Sequence, residues 1–258
     1  MFKLGWRQSS GDLGIIPFNI SKTVIDLGTN KPNEYIIKTN VPIYHQGQTS
    51  SCVSNACIGM LAMLQDLANN KPQTQLSRLF LYWNARAAIG ETDKDKGSFI
   101  HDALASLKTT GVCEESFWPF SESDTLHQPN QLAYKRGDDN QIGDYYEITA
   151  TDNERLLQIE AAIKANHPVV FGTAVGTELL QYQGEGISFD LPKKSIGGHA
   201  MCVVGVRRNN SGELEFLIRN SWGSGWGING HCWFSSSYML AEETDDIFVG
   251  TNMPNLLV

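Results

Sequence analysis

The chain has 258 residues, 41% of them hydrophobic, enough for a full core in one large domain or in two packed lobes. Its 20 Lys and Arg against 28 Asp and Glu give a net charge of -8, and the basic residues are scattered, which excludes the basic footprint of a nucleic-acid binder. No apolar run reaches the roughly 18 residues of a membrane span, and the opening MFKLGWRQSSGDLG lacks the apolar stretch and cleavage site of a leader.

Residues 1–40 carry no sustained period, and their spread of Gly, Pro, Ser and Asn predicts an arm wrapped on a larger body, without regular helix. From Val53 the apolar or small positions 53, 56, 57, 60, 61, 64, 67 and 68 mark one helical face, with Ser50 or Ser51 as cap and Asn69-Asn70-Lys71-Pro72 as stop. Further helices are expected over 77–88 and over 98–109, the latter ending before Gly111. Residues 121–145 are polar and predict a long loop leading to a lobe boundary. A last helix over 152–165, capped by Thr151 or Asp152, is followed by short runs rich in β-branched and aromatic residues: HPVVFGTAV, GHAMCVVGV, LEFLIRN and GHCWF. The turn signal RRNNSGE makes the second and third of these a hairpin. Helices first and strands afterwards indicate α+β with segregated lobes: an arm over 1–40, a helical lobe over 41–145 and a β-rich lobe over 146–258.

The chemistry concentrates in three blocks. In YHQGQTSSCVSNACIGMLAML, Cys52 sits in the first turn of the clearest helix, facing unpaired backbone N–H groups and the positive end of the helix dipole. That field is worth roughly 0.3–1 kcal/mol when exposed, less than one pKa unit, so a nucleophilic thiolate needs a cationic partner as well. Of six histidines, His199 begins an apolar strand, where an imidazole is costly without partners, and two preceding glycines let another chain approach. In FLIRNSWGSGWG, Asn220 ends the next strand, close enough across a hairpin to accept the ring N–H and fix the tautomer.

These blocks resemble the papain-like cysteine peptidases (C1-type), with their Gln-Gly ahead of the Cys, a later His-Ala on a strand, and Asn-Ser-Trp-Gly after that. The resemblance covers roughly residues 41 to 250 and is supported by GVCEESFWPF, which is similar to the family's segment ending in aromatic-Pro-aromatic. It implies a two-lobe fold, a helical lobe and a β-barrel-like lobe with the cleft between them. It also implies Cys52 as nucleophile, His199 as acid and base, Asn220 as orienting residue and Gln46 as a side-chain donor to an oxyanion hole. On the substrate side it implies Gly97 and Ser98 as the edge that pairs with peptide backbone, beside Gly198, with Trp222 covering the Asn220–His199 bond. The implied reaction is amide hydrolysis through a thioester on Cys52, acting on a peptide or protein substrate with no cofactor. An acyl transferase using the same site, and a non-catalytic binding or effector module, are the rivals.

The sequence departs from the family at Thr49, where many relatives carry a disulfide cysteine, at Ser50 in place of glycine, and at Val53 in place of an aromatic. The odd count of cysteines and the missing disulfide position fit a reducing, cytoplasmic location by default, although an exported effector lacking a cleavable leader reads the same. The long pro-segment of secreted relatives is expected to be absent, leaving at most the arm, which is expected to cross or border the cleft. Cys57, Cys113, Cys202 and Cys232 are assigned to packing. No metal is expected, because His231-Cys232 point to opposite strand faces and no Cys-x-x-Cys occurs. GWGING matches a dinucleotide fingerprint by letters only, since no helix follows it.

Overall fold

The computed structural model describes residues 3–19, 33–69, 75–184 and 188–251. The expected helix stop at residues 70–72 lies outside them. The helical part consists of α1 (Cys52–Asn69), α2 (Arg78–Ala87) and α3 (Ile100–Thr109), as the periodicity predicts to within two residues. Ser77 caps α2 by accepting the Phe80 N–H at 3.1 Å. The segment 121–145 is not a plain loop. It holds a 3₁₀ turn (Glu122–Asp124), a five-residue helix α4 (Gln131–Lys135) and a second 3₁₀ turn (Gly137–Asp139). Asn130 Oδ1 starts α4 by accepting the Ala133 N–H at 2.9 Å. A helix little longer than one turn has too few residues to show a period.

The β-rich part begins with β2 (Tyr145–Glu147) and α5 (Asn153–Lys164), the latter capped by Asp152, whose carboxylate accepts the Glu154 N–H at 2.8 Å. There follow β3 (Val169–Val175), α6 (Thr177–Leu180), β4 (Ser188–Phe189), β5 (Gly197–Arg208), β6 (Leu214–Arg219), β7 (His231–Ser235), α7 (Ser236–Leu240) and β8 (Thr244–Gly250). The strand order is β2-β8-β3-β5-β6-β7-β4, and β1 (Glu34–Ile36) adds antiparallel to the second half of β5. Among the described residues this wrapped sheet stays open between β2 and β4, which is compatible with a barrel-like lobe. The predicted hairpin is β5–β6, paired from Cys202↔Arg219 to Arg208↔Leu214.

Strand alternation divides the core in two. Ala200, Cys202 and Val204 of β5 face α1, whereas Met201 and Val203 face a second cluster with Ile159 and Ile163 of α5. The helix α1 lies between the sheet and the α2–α3 pair, so every residue from 52 to 64 is buried rather than one face only. A sequence period reports the most apolar face of such a central helix and misses the small residues, here Ser54, Asn55, Gly59 and Ala62, that cover the rest.

The helical side of the site is held by buried polar groups. Arg86, fully buried, donates to the carbonyls of Tyr82, Thr92, Lys94 and Thr125 and stacks over the Tyr82 ring. The Tyr82 hydroxyl donates to Asp95 at 2.7 Å and accepts the Gly97 N–H at 3.1 Å, while Asp95 also accepts the Ser50 N–H at 2.9 Å. The turn ahead of Cys52 and the Gly97–Ser98 edge are thereby fixed to each other.

Candidate active site

Cys52 opens α1 and is fully buried. The loop before it is tied to the far lobe by the Gln46 N–H, which donates to the Ser221 carbonyl at 2.9 Å. The Gln46 side chain is held at both ends: Oε1 accepts the Ser221 hydroxyl at 2.7 Å, and Nε2 donates to the Thr49 carbonyl at 2.9 Å. Those partners leave the second N–H of the amide aimed into the cleft.

On the other wall, His199 stands near the start of β5 and Asn220 directly follows β6. His199 Nε2 and Asn220 Oδ1 are 2.8 Å apart. Asn220 Oδ1 also accepts the Ser221 backbone N–H at 2.8 Å, which identifies that atom as the oxygen, so Nε2 carries the ring proton. The acceptor nitrogen of the neutral ring is then Nδ1, which is buried and has no partner among the described residues. Trp222 stacks on the His199 ring at 4.7 Å and 22°, and Trp226 meets Trp222 edge-on at 5.2 Å. Trp222, 2% exposed, backs the imidazole. The backbone N–H of Ala200, next to His199, favours the charged form of the Cys52 thiol, so the two walls meet near the sulfur.

The arm runs between these walls. Gln46 Nε2 donates to the Lys3 carbonyl at 3.0 Å, and the Gly5 N–H points at the Cys52 thiol. The Gly5 carbonyl accepts the Ser98 N–H at 2.9 Å, the Arg7 N–H donates to the Ser98 carbonyl at 3.2 Å, and the Trp6 N–H donates to the Gly198 carbonyl at 3.2 Å. Gly97, at φ +83°, lies directly against the Gly5 backbone, where a Cβ has no room. Gly97, Ser98 and Gly198 are thus brought together around an extended peptide. The ends of the segment are tied by Lys3–Asp95 and Arg7–Glu91 ion pairs at 2.8 and 2.9 Å.

Burial decides the protonation of the pair. It pushes the Cys52 thiol up to about 11, against the lowering effect of the surrounding N–H groups of Ala200, Gly5, Val53 and Cys52 itself. It pulls His199 down to about 4, although the Asn220 bond favours the charged ring. With the arm seated, thiol and imidazole are both neutral near pH 7.

Sequence reasoning missed Ser221, which aims Gln46, although it lies inside the Asn-Ser-Trp-Gly block. It also missed Trp6 and Asp246. The Trp6 indole N–H donates to Asp246 Oδ2 at 2.8 Å, an association no local pattern announces. His101, weighed as a cleft residue, accepts or donates a 3.0 Å bond with Ser9 of the arm and is raised by its hydrogen bond to Asp102. His45 turns its ring onto the Gly47 N–H at 3.0 Å.

A helical wall presenting a cysteine at a helix start, opposed to a strand wall presenting a His–Asn pair, defines a thiol-protease type of fold and site. The comparisons agree with it. The model of the papain family of cysteine proteases matches residues 33–245, and the chain belongs to that family. An uncharacterised peptidase C1-like protein of Acanthamoeba polyphaga mimivirus is 30% identical over 205 residues, 76% of this chain and 65% of that protein. Pro-cathepsin H of Mus musculus is 26% identical over 199 residues, 74% of this chain and 55% of its own. The crystal structure of xylellain, a cysteine protease from Xylella fastidiosa, superposes with a TM-score of 0.83 at 25% identity, covering 97% of this chain and 96% of that one. The chain spans 65% and 55% of the two curated relatives' lengths.

Proposed function

We propose that the chain is a cysteine peptidase that hydrolyses peptide bonds through a thioester on Cys52, and that its own arm closes the cleft between turnovers. The observation that carries the proposal is the Lys3 carbonyl on Gln46 Nε2, with the adjoining backbone paired to Ser98 and Gly198: the groove already binds a peptide main chain, with an amide carbonyl where an oxyanion donor waits.

In the mechanism, displacement of the arm admits water, which removes much of the burial that keeps both groups neutral. The thiol proton passes to His199 Nδ1, and the sulfur attacks the substrate carbonyl carbon. Gln46 Nε2 and the Cys52 backbone N–H stabilise the resulting oxyanion. Asn220 holds the ring through Nε2, which leaves Nδ1 as the nitrogen that takes the proton, and Trp222 keeps water from the Asn220 bond. The imidazolium then protonates the departing amine, and as a neutral base His199 activates the water that cleaves the thioester.

The test is digestion of a peptide library by the natural chain and by Cys52→Ala. Cleavage by the first and none by the second is expected. Equal cleavage by both, or trapping of no acyl-enzyme on Cys52 while peptides are cut, overturns the proposal.

A further inference from the structure

Behind the His199–Asn220 pair, on the side away from the cleft, the chain buries a cation without an opposite charge. Cys202 of β5 pairs with Arg219, the last residue of β6, so both side chains belong to the sheet face that packs on α1. Gly59 of α1 makes room there for the guanidinium: a Cβ on it would stand 3.6 Å from Arg219 Nε and 3.9 Å from the Tyr44 ring. Arg219 is 6% exposed and donates from Nη1 to the Val41 carbonyl at 3.2 Å and from Nη2 to the Pro42 carbonyl. Those acceptors are neutral. Burial opposes its charge, and among the described residues the groups that act on it electrostatically are Tyr44 and Cys202, with no carboxylate. Burial also raises Tyr44 and pushes the Cys202 thiol up to about 12, so both stay protonated at neutral pH. The nearby Arg78 has its own carboxylate, Glu115 at 3.1 Å.

A cavity of about 10 Å³ opens at this place, with Asn55, Gly59, Cys202, Arg219 and Asn220 in its wall. One polar side chain of that wall lacks a partner. Asn220 is 3% exposed; its Oδ1 serves His199 and the Ser221 N–H, while Nδ2 has no acceptor among the described residues. The Asn55 amide is engaged elsewhere, Nδ2 donating to Ser51 at 2.9 Å and Oδ1 accepting from Arg78 at 3.3 Å. The wall therefore offers N–H donors and a positive charge. A water would need acceptors for its own protons and brings no charge. An anion needs only donors, and its pairing offsets the cost of the buried cation. The volume is at the lower limit for one small species, which rules out phosphate and carboxylate ligands.

We propose that this cavity binds a single halide ion, chloride in nature, held by Asn220 Nδ2 and the Arg219 guanidinium, and that the ion fixes the amide that orients His199. An amide turned by 180° would set its oxygen against the anion and its N–H groups against the ring N–H, so the bound ion opposes the turned form. Halide binding stands independently of the peptidase proposal. The effect of the ion on turnover rests on it.

The test uses the full chain. Crystals containing bromide, measured at the bromine absorption edge, should give an anomalous peak between Asn220 Nδ2 and Arg219. In solution, chloride replaces gluconate at constant ionic strength, and the unfolding constant of the natural chain should fall saturably, about tenfold when chloride reaches ten times its Kd. Gly59→Ala puts a methyl into the cavity at ordinary contact distances, so it should keep its fold and lose the chloride dependence. Peptide cleavage by the natural chain should rise with chloride through kcat at unchanged KM, and Gly59→Ala should show no such rise. A bromide peak with stabilisation that Gly59→Ala abolishes supports the site. No peak, or equal stabilisation of the natural chain and Gly59→Ala, overturns it, the cavity then holding water only. A peak and stabilisation with kcat indifferent to chloride leave the site and overturn its hold on Asn220. Where no peptide is cleaved the peptidase proposal fails, and the bromide and stability measurements still decide the site.

Discussion

Replacing Trp6 by Ala should unlock the thiol. The indole is half-buried against Gly172 and Gly198 and donates to a carboxylate that is 2% exposed. A large aromatic buries 150–250 Å² when fully covered, so half of one removes roughly 100 Å² from water, about 2.5 kcal/mol at 25 cal/mol per Å². The hydrogen bond to a charged acceptor adds about 1.5–3 kcal/mol, part of it recovered when the carboxylate is rehydrated on opening. A net loss of about 3 kcal/mol raises the open fraction of the arm about 100-fold, since 1.4 kcal/mol is tenfold. The exposed Lys3–Asp95 and Arg7–Glu91 pairs cannot make up the difference, being worth roughly 0–1 kcal/mol each. The assay is alkylation by iodoacetamide near neutral pH, quantified by peptide mass for each cysteine. Cys52 should react about 100-fold faster in Trp6→Ala than in the natural chain, while Cys57, Cys113, Cys202 and Cys232, all buried in the core, keep their rates. A change below threefold at Cys52 would refute the closure by the arm, and equal acceleration at all five would show general loosening instead.

Three further outcomes are expected. Gln46→Ala should lower kcat by about 10²–10³ with little change in KM, because the lost N–H acts on the oxyanion; a rise in KM alone would contradict that role. Stability should depend on pH through His199: with a folded pKa of about 4 against the ordinary 6.5, the unfolded chain binds a proton that the folded chain does not, so stability is fully present above about pH 6.5 and declines as pH falls toward 4. The contribution is about 3 kcal/mol, and urea titrations from pH 7 to 4.5 should show a shallower decline for His199→Gln, an unchanged slope counting against it. Arg86→Met removes the donor to four carbonyls, those of Tyr82 and Thr125 in buried bonds, and should cost about 3 kcal/mol or more, near 10 °C in Tm; calorimetry showing less than 2 °C would mean those carbonyls find other partners.

Much of the site could be read along the chain because its parts are local. Gln46 and Cys52 share one loop-and-helix start, and His199 and Asn220 share one hairpin whose turn residues are explicit, so each block carries its own signature and only their meeting needed the fold. The helices followed for the same reason, since periodicity reports the contacts of successive turns. The short helix α4 and the all-round burial of α1 were hidden, the first by having too few turns and the second because its outer face is covered by residues distant in sequence.

By itself, then, the sequence determined which side chains are the candidates for chemistry and the order of helices and strands, because propensity, capping and turn geometry act within a few residues. Tertiary structure alone decided that the arm lies in the cleft, that burial beneath it favours the neutral forms of Cys52 and His199, and that Trp6 meets Asp246, 240 positions away, over Gly172 and Gly198. Those outcomes depend on a one-residue bulge in β8 and on which surfaces exclude water, and desolvation is a property of the packed molecule that no stretch of the chain carries alone.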